Sequence, residues 1–157
     1  KHERGGLGDP NQAERRFHDI VAIMQQETID GQRLIDNPIY RDRLLKLQGQ
    51  MLAMKFNGMR VLSDFAKDQE PGLPRWIVKL NGCELNHQMA GMAIDALGEL
   101  GVLYDNSPHL RDEGVWQQRY MLDLGLIIGG GTAQIQKNMI GERALGLPKE
   151  PKQEQKG

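Results

Sequence analysis

Between Ile39 and Lys67 the residues Leu44, Leu47, Met51, Met54, Gly58, Val61 and Phe65 follow one another in alternating steps of three and four. That spacing keeps all of them on one face of an α-helix, and a stripe sustained over several turns is the seam of a helical bundle. A parallel stripe of Leu45, Leu52 and Met59 widens the apolar surface. The helix is therefore expected to meet neighbours on two sides, inside the chain or across an oligomer contact. Nowhere do apolar and polar residues alternate long enough to argue for a strand. The chain is expected to be all-α, an antiparallel bundle of about four to five helices.

Turn signals place the remaining helices. One runs from about Asn11 to Ile29, carries Phe17, Ile20, Val21 and Met24 on one face, and is stopped by Asp30-Gly31. After the turn Glu70-Pro71-Gly72-Leu73-Pro74, a third helix has Trp76, Leu80, Cys83, His87, Ala90, Ile94 and Leu97 as its seam and ends near Gly98 or Gly101. Asn106-Ser107-Pro108 leads to a fourth from about Asp112 to Leu126, and Gly129 to Gly131 introduce a fifth. Residues 1–148 read as one helical domain, and 149–157 as a charged, disordered tail.

The charge balance narrows the partners. With 20 basic and 21 acidic residues the net charge is −1, so no global field favours nucleic acid or an anionic membrane, and any anion must be bound locally. The single cysteine, Cys83, forms no internal disulfide and fits a reducing compartment. Without a long apolar run or a leader the chain is expected to be a soluble, cytoplasmic protein.

The local site candidate is Gly129-Gly130-Gly131-Thr132. Glycines let backbone approach a bulky phosphate, and a helix starting at about Thr132 would aim unpaired N–H groups and its positive dipole end at an anion such as a dinucleotide pyrophosphate. The same residues suit a plain helix boundary, with Thr132 as its cap, and local sequence alone favours that reading. Lys-Ser or Lys-Thr does not follow the glycines, which disfavours a nucleoside-triphosphate loop.

From Gly129 to Pro148 the order is Gly-Thr-x-x-Ile-Gln at Gly131 to Gln136, a basic Lys137, an Asn-x-Ile step at Asn138 to Ile140, then Arg143-Ala144-Leu145-Gly146-Leu147-Pro148. This run resembles the last helix of the acyl-CoA dehydrogenases, without a gap. The resemblance covers almost the whole chain but only the family's last third, the N-terminal helical and middle β-domains being expected elsewhere in the protein. It implies the C-terminal domain of an FAD-dependent enzyme that desaturates an acyl-CoA thioester between its α and β carbons. It further implies FAD contacts at Gly130, Gly131, Thr132 and Gln134, a homodimer, homotetramer or mixed oligomer, and electron-transferring flavoprotein as electron acceptor.

The resemblance also bears on the base. Family members remove the α-proton with a glutamate while the β-hydrogen leaves as hydride to the flavin. Many carry that glutamate directly before the last glycine-threonine pair, where this chain has Gly130. A minority, like the isovaleryl and long-chain enzymes, carries it at the start of the domain's first helix as Glu-Arg. The chain opens Lys1-His2-Glu3-Arg4, so Glu3 is the expected base and Arg4 lies near the acyl-CoA. Gly5, Gly6, Gly8 and Asp9-Pro10 interrupt a smooth helix just after it.

Two family elements are altered. An Arg-x-x-Phe-Gly-x-Pro segment, which holds the adenine half of a neighbouring subunit's flavin, is replaced by Gln32 to Arg43, with Arg33 and Pro38 but no Phe-Gly pair. A Gly-Gly-x-Gly element is replaced by Leu97 to Leu103. The alternative reading is a non-catalytic subunit that completes a mixed oligomer. Glu84-x-x-His87 has di-iron spacing but no second copy, so no metal is expected and His87 reads as a core or interface residue. Cys83 and the methionines read as packing; Trp116 and Tyr120 read as pocket-lining or anchoring residues.

Overall fold

A computed structural model describes residues 10–149. Glu3, Arg4 and residues 150–157 of the expected tail lie outside the described residues. The elements are α1 (Pro10–Gln26), β1 (Thr28–Ile29), β2 (Gln32–Arg33), α2 (Pro38–Ala66), α3 (Leu73–Leu97), α4 (Val115–Ile128) and α5 (Ala133–Met139). The expected all-α bundle is found.

α2 starts where its sequence directs. Pro38 occupies the first turn, and the Asn37 side chain accepts from Ile39 N at 3.0 Å and Tyr40 N at 3.5 Å. Of its seam, Leu44, Leu47, Met51 and Gly58 are buried, Met54 and Val61 half-buried, and Phe65 exposed, so the seam runs out of partners toward its C-terminus. The parallel stripe of Leu45, Leu52 and Met59 is exposed.

α1 stops earlier than its apolar pattern implies. It ends at Gln26, and the next residues pair as an antiparallel ribbon, Thr28 with Arg33 and Ile29 with Gln32. Asp30 at φ 52° and Gly31 at φ 78° form the tip. Two consecutive positive φ values give the turn that matches the twist of paired strands, so Asp30-Gly31 closes a hairpin instead of merely capping a helix. Leu34 N donates to Glu27 O at 3.0 Å and brings Leu34 into the core.

α3 is the central helix, packed against α1, α2, α4 and α5. Cys83, Ala90 and Leu97 of its expected seam are buried, but so are Leu85, Met89, Met92, Ala93 and Ala96. A helix covered on several sides has no single stripe, which is why the expected seam caught only part of its buried surface. Beyond Gly98, at φ 56°, one 3-10 turn spans Gly98–Val102. A Cβ on Gly101 would stand 2.5 Å from Ile94 O, so this glycine lets the turn fold tightly back on α3.

A short 3-10 turn, Asp112–Gly114, precedes α4, which buries Trp116, Gln117 and Asp123. α5 is short and continues into one wide π turn, Ile140–Ala144. No helix among the described residues is long and apolar enough to cross a membrane.

Candidate functional site: the glycine loop between α4 and α5

The helix α4 closes with Gly129 N donating to Gly125 O at 2.8 Å, and Gly131 N then reaches Ile128 O at 3.2 Å. Gly130 at φ 67° and Gly131 at φ 110° take backbone conformations that side chains disfavour. A Cβ on Gly131 would lie 2.9 Å from Gln136 Nε2, whereas one on Gly130 would meet nothing within 4 Å. The loop is thus tight on one side and open on the other.

Thr132 caps α5, its Oγ1 accepting from Ile135 N at 3.4 Å. The boundary role weighed from sequence is real. It leaves the N–H groups of Ala133 and Gln134, in the first turn, without an acceptor inside the helix. Gln134 is exposed beside them. Gly130, Gly131, Thr132 and Gln134 therefore sit together at one reversal of the chain.

Two buried side chains hold that reversal from beneath. Lys79 of α3 is 7% exposed, and its Nζ donates to Ile127 O at 2.9 Å and to Gly131 O at 2.6 Å. Gln136 of α5 is 2% exposed, and its Nε2 donates to Gly130 O at 3.0 Å. Sequence reasoning gave neither a role, although Gln136 closes the family-like Gly-Thr-x-x-Ile-Gln run. The available signal was a lysine one helical turn before Cys83 on an otherwise apolar face.

A polar seam continues along α3 and α4. Burial pushes the Cys83 thiol up from its ordinary value, with Lys79 pulling the other way, so Cys83 is a buried small side chain of low reactivity. Asp123 is fully buried and paired with Arg16 of α1, Arg16 Nη1 to Asp123 Oδ2 at 3.0 Å. Burial raises the Asp123 carboxyl above its usual range, and the Arg16 guanidinium opposes that rise. Its Oδ1, His87 Nδ1 and Gln117 Oε1 have no hydrogen-bond partner among the described residues. The His87 ring packs on Tyr120 with centroids 4.5 Å apart, and the Arg119 guanidinium lies 4.7 Å from the Trp116 ring centroid. Trp116 and Tyr120 are thereby spoken for as packing partners.

The Glu84-x-x-His87 spacing does not gather a metal set. Glu84 lines a groove of ≈ 350 Å³ between α2 and α3, while His87 faces Tyr120 of α4. Glu14 makes a two-pronged ion pair with Lys55, both oxygens at 2.8 Å, which lowers its carboxyl below the ordinary value. Arg33 is bound to Asp36, Nη2 to Oδ2 at 2.9 Å, so its guanidinium is engaged within its own loop.

Residues 1–145 match the family described as acyl-CoA dehydrogenase, C-terminal domain. The chain belongs to the acyl-CoA dehydrogenase family. Among its relatives is the acyl-CoA dehydrogenase IpdE1 of Mycobacterium tuberculosis, 32% identical over 117 residues, or 74% of this chain and 29% of that protein. Similar solved structures include the Tcur3481-Tcur3483 steroid ACAD, at TM-score 0.79 and 23% identity over 94% of this chain and 38% of that one. The ChsE4-ChsE5 complex from Mycobacterium tuberculosis matches at TM-score 0.76 and 25% identity, over 89% of this chain and 36% of that one. The chain thus spans well under half the length of these relatives.

Proposed function

We propose that this chain is the C-terminal helical domain of an FAD-dependent acyl-CoA dehydrogenase that introduces an α,β double bond into an acyl-CoA thioester. The observation that carries this is the glycine loop. Its open side at Gly130, the unpaired first-turn N–H groups of α5, and the Lys79 ammonium beneath it suit a phosphate of the cofactor. Gly130, Gly131, Thr132 and Gln134 would hold that part of FAD. Bound FAD would supply the hydride acceptor, which no side chain of this chain can provide.

The proton acceptor has to come from elsewhere than the loop. Gly130 stands where many family members carry the base, and a glycine cannot take a proton. Glu3 matches the family's other base position, with Arg4 beside it, and is the proposed base. A carboxylate serves that role when a dry pocket raises its affinity for a proton and brings it within hydrogen-bond reach of the α-carbon. Electron-transferring flavoprotein is the proposed acceptor of the flavin's electrons. Glu3→Gln in the full-length protein should leave flavin bound and abolish its bleaching by acyl-CoA; bleaching at the normal rate would remove Glu3 from this role.

A second reading keeps the fold and drops the chemistry: a subunit that completes a mixed oligomer. Arg33 favours it, because in the stretch that replaces the family element reaching a neighbour's adenine the arginine closes the Thr28–Arg33 hairpin and is bound to Asp36. The occurrence of ChsE4 and ChsE5 as a complex gives the mixed oligomer, though not the loss of chemistry, a precedent. The visible spectrum of the purified full-length product, alone and with its partner chain, separates the two. Flavin colour in the isolated product that bleaches with an acyl-CoA supports the enzyme; a colourless product that takes up no FAD supports the partner subunit.

A further inference from the structure

Lys79 is a buried ammonium, 7% exposed, and among the described residues no carboxylate lies within ion-pair distance of it. Placing an ammonium out of water is costly unless its N–H groups are satisfied and its charge is offset. Its two acceptors come from consecutive parts of one chain reversal: Ile127 O at 2.9 Å in the last turn of α4, and Gly131 O at 2.6 Å in the loop. Ile127 is one of the last carbonyls of its helix, and these lack intrahelical donors. A lysine at such a place also meets the negative end of the α4 dipole. The side chain therefore joins the central helix α3 to the joint between α4 and α5.

The bond to Gly131 has a geometric consequence. A peptide plane carries its C=O and the following N–H on opposite sides. With Gly131 O drawn inward to Lys79, the next N–H, that of Thr132, is turned outward. Gln136 Nε2 acts in the same sense on Gly130 O at 3.0 Å, which turns the Gly131 N–H away and leaves it to Ile128 O at 3.2 Å. Gly131 suits this place because its φ of 110° disfavours a side chain, and a Cβ there would stand 2.9 Å from Gln136 Nε2. Lys79 and Gln136 thus grip two successive carbonyls from the protein side.

We propose that Lys79 is a positioning residue of the acyl-CoA dehydrogenase domain: by holding Gly131 O inward it turns the Thr132 N–H, beside the unpaired first-turn N–H groups of α5, toward the cofactor's phosphates, and its charge favours the anion there. This rests on the FAD reading above, and two measurements keep the failures apart. The first is amide hydrogen exchange at Gly129, Gly131 and Gln136, whose N–H groups are bonded within this reversal, in the full-length protein without cofactor, which reports local opening of the loop. The second is the FAD dissociation constant after the flavin is stripped and added back. Lys79→Met and Lys79→Gln should raise loop exchange and weaken FAD, each about tenfold, for the loss of a charged hydrogen bond. Lys79→Arg should restore both in large part, because it keeps the charge and the donors.

Loop exchange in Lys79→Gln equal to the wild type overturns the proposal, and so does wild-type FAD affinity in that variant. Lys79→Gln decides the matter where Lys79→Met does not fold. Should the wild type take up no FAD, the FAD reading falls, and with it the cofactor half of this proposal, while the exchange data still decide whether Lys79 sets the loop.

Discussion

The Arg16 and Asp123 pair shows how one buried contact carries a pH signature. Asp123 is fully buried, and burial holds its carboxyl above the ordinary value near 3.8. The folded chain then binds this proton more tightly than the unfolded chain, so stability from this group falls as pH rises from the ordinary carboxylate value through the raised one. Arg16 counters that loss. Arg16→Met should cost about 3 kcal/mol at neutral pH, because it leaves an uncompensated buried charge. The deficit should shrink on acidification, as Asp123 takes up a proton; denaturant melts at several pH values check this, and a deficit independent of pH would contradict it. At the loop, Gly131→Ala meets both a disfavoured φ of 110° and a close Gln136 amide. It should destabilise the fold by about 1–3 kcal/mol, whereas Gly129→Ala, at φ −58°, should cost less. Paired thermal melts of the two variants test the order.

At the scale of elements, the helices differ in how much of their identity their sequence displays. α2 begins and ends within a residue of its expected limits because Asn37-Pro38 and the run of three and four steps act locally. α1 ends before its expected limit, since Thr28, Ile29 and the Asp30-Gly31 pair favour a hairpin that competes with another helical turn. α3 hides its burial, being covered on several sides. Its Ala90 and Ala93 are fully buried, so enlarging Ala93 to Leu should overpack the centre and cost about 1–3 kcal/mol. Leu52→Gln on the exposed stripe of α2 should change the domain's own stability by less than about 0.5 kcal/mol. Chemical denaturation of both variants makes the comparison; equal losses would mean that the outer stripe is packed within the chain.

For the whole molecule, large apolar side chains stand exposed on two of the helices. Leu45, Phe56, Met59 and Leu62 on α2, with Met121, Leu122, Leu124 and Ile128 on α4, stand open to solvent. An exposed apolar stripe on a helix is where contact with other protein is expected. In the full-length protein, Leu45→Glu combined with Met59→Glu should lower the molecular mass seen by light scattering and leave the helical content intact. An unchanged mass would place the α2 stripe outside any subunit interface.

The helical class, the two ends of α2, the threonine cap at Thr132 and the family-like Gly129 to Pro148 run were legible in the sequence, because each depends on residues within a few positions of one another. What only tertiary structure decided is which groups meet across the chain. Lys79 and Gly131 are far apart in sequence, as are Arg16 and Asp123, and nothing in local spacing pairs them. Periodicity reports which face of a helix is apolar; packing alone decides which polar groups are drawn into the core and what they must hold there.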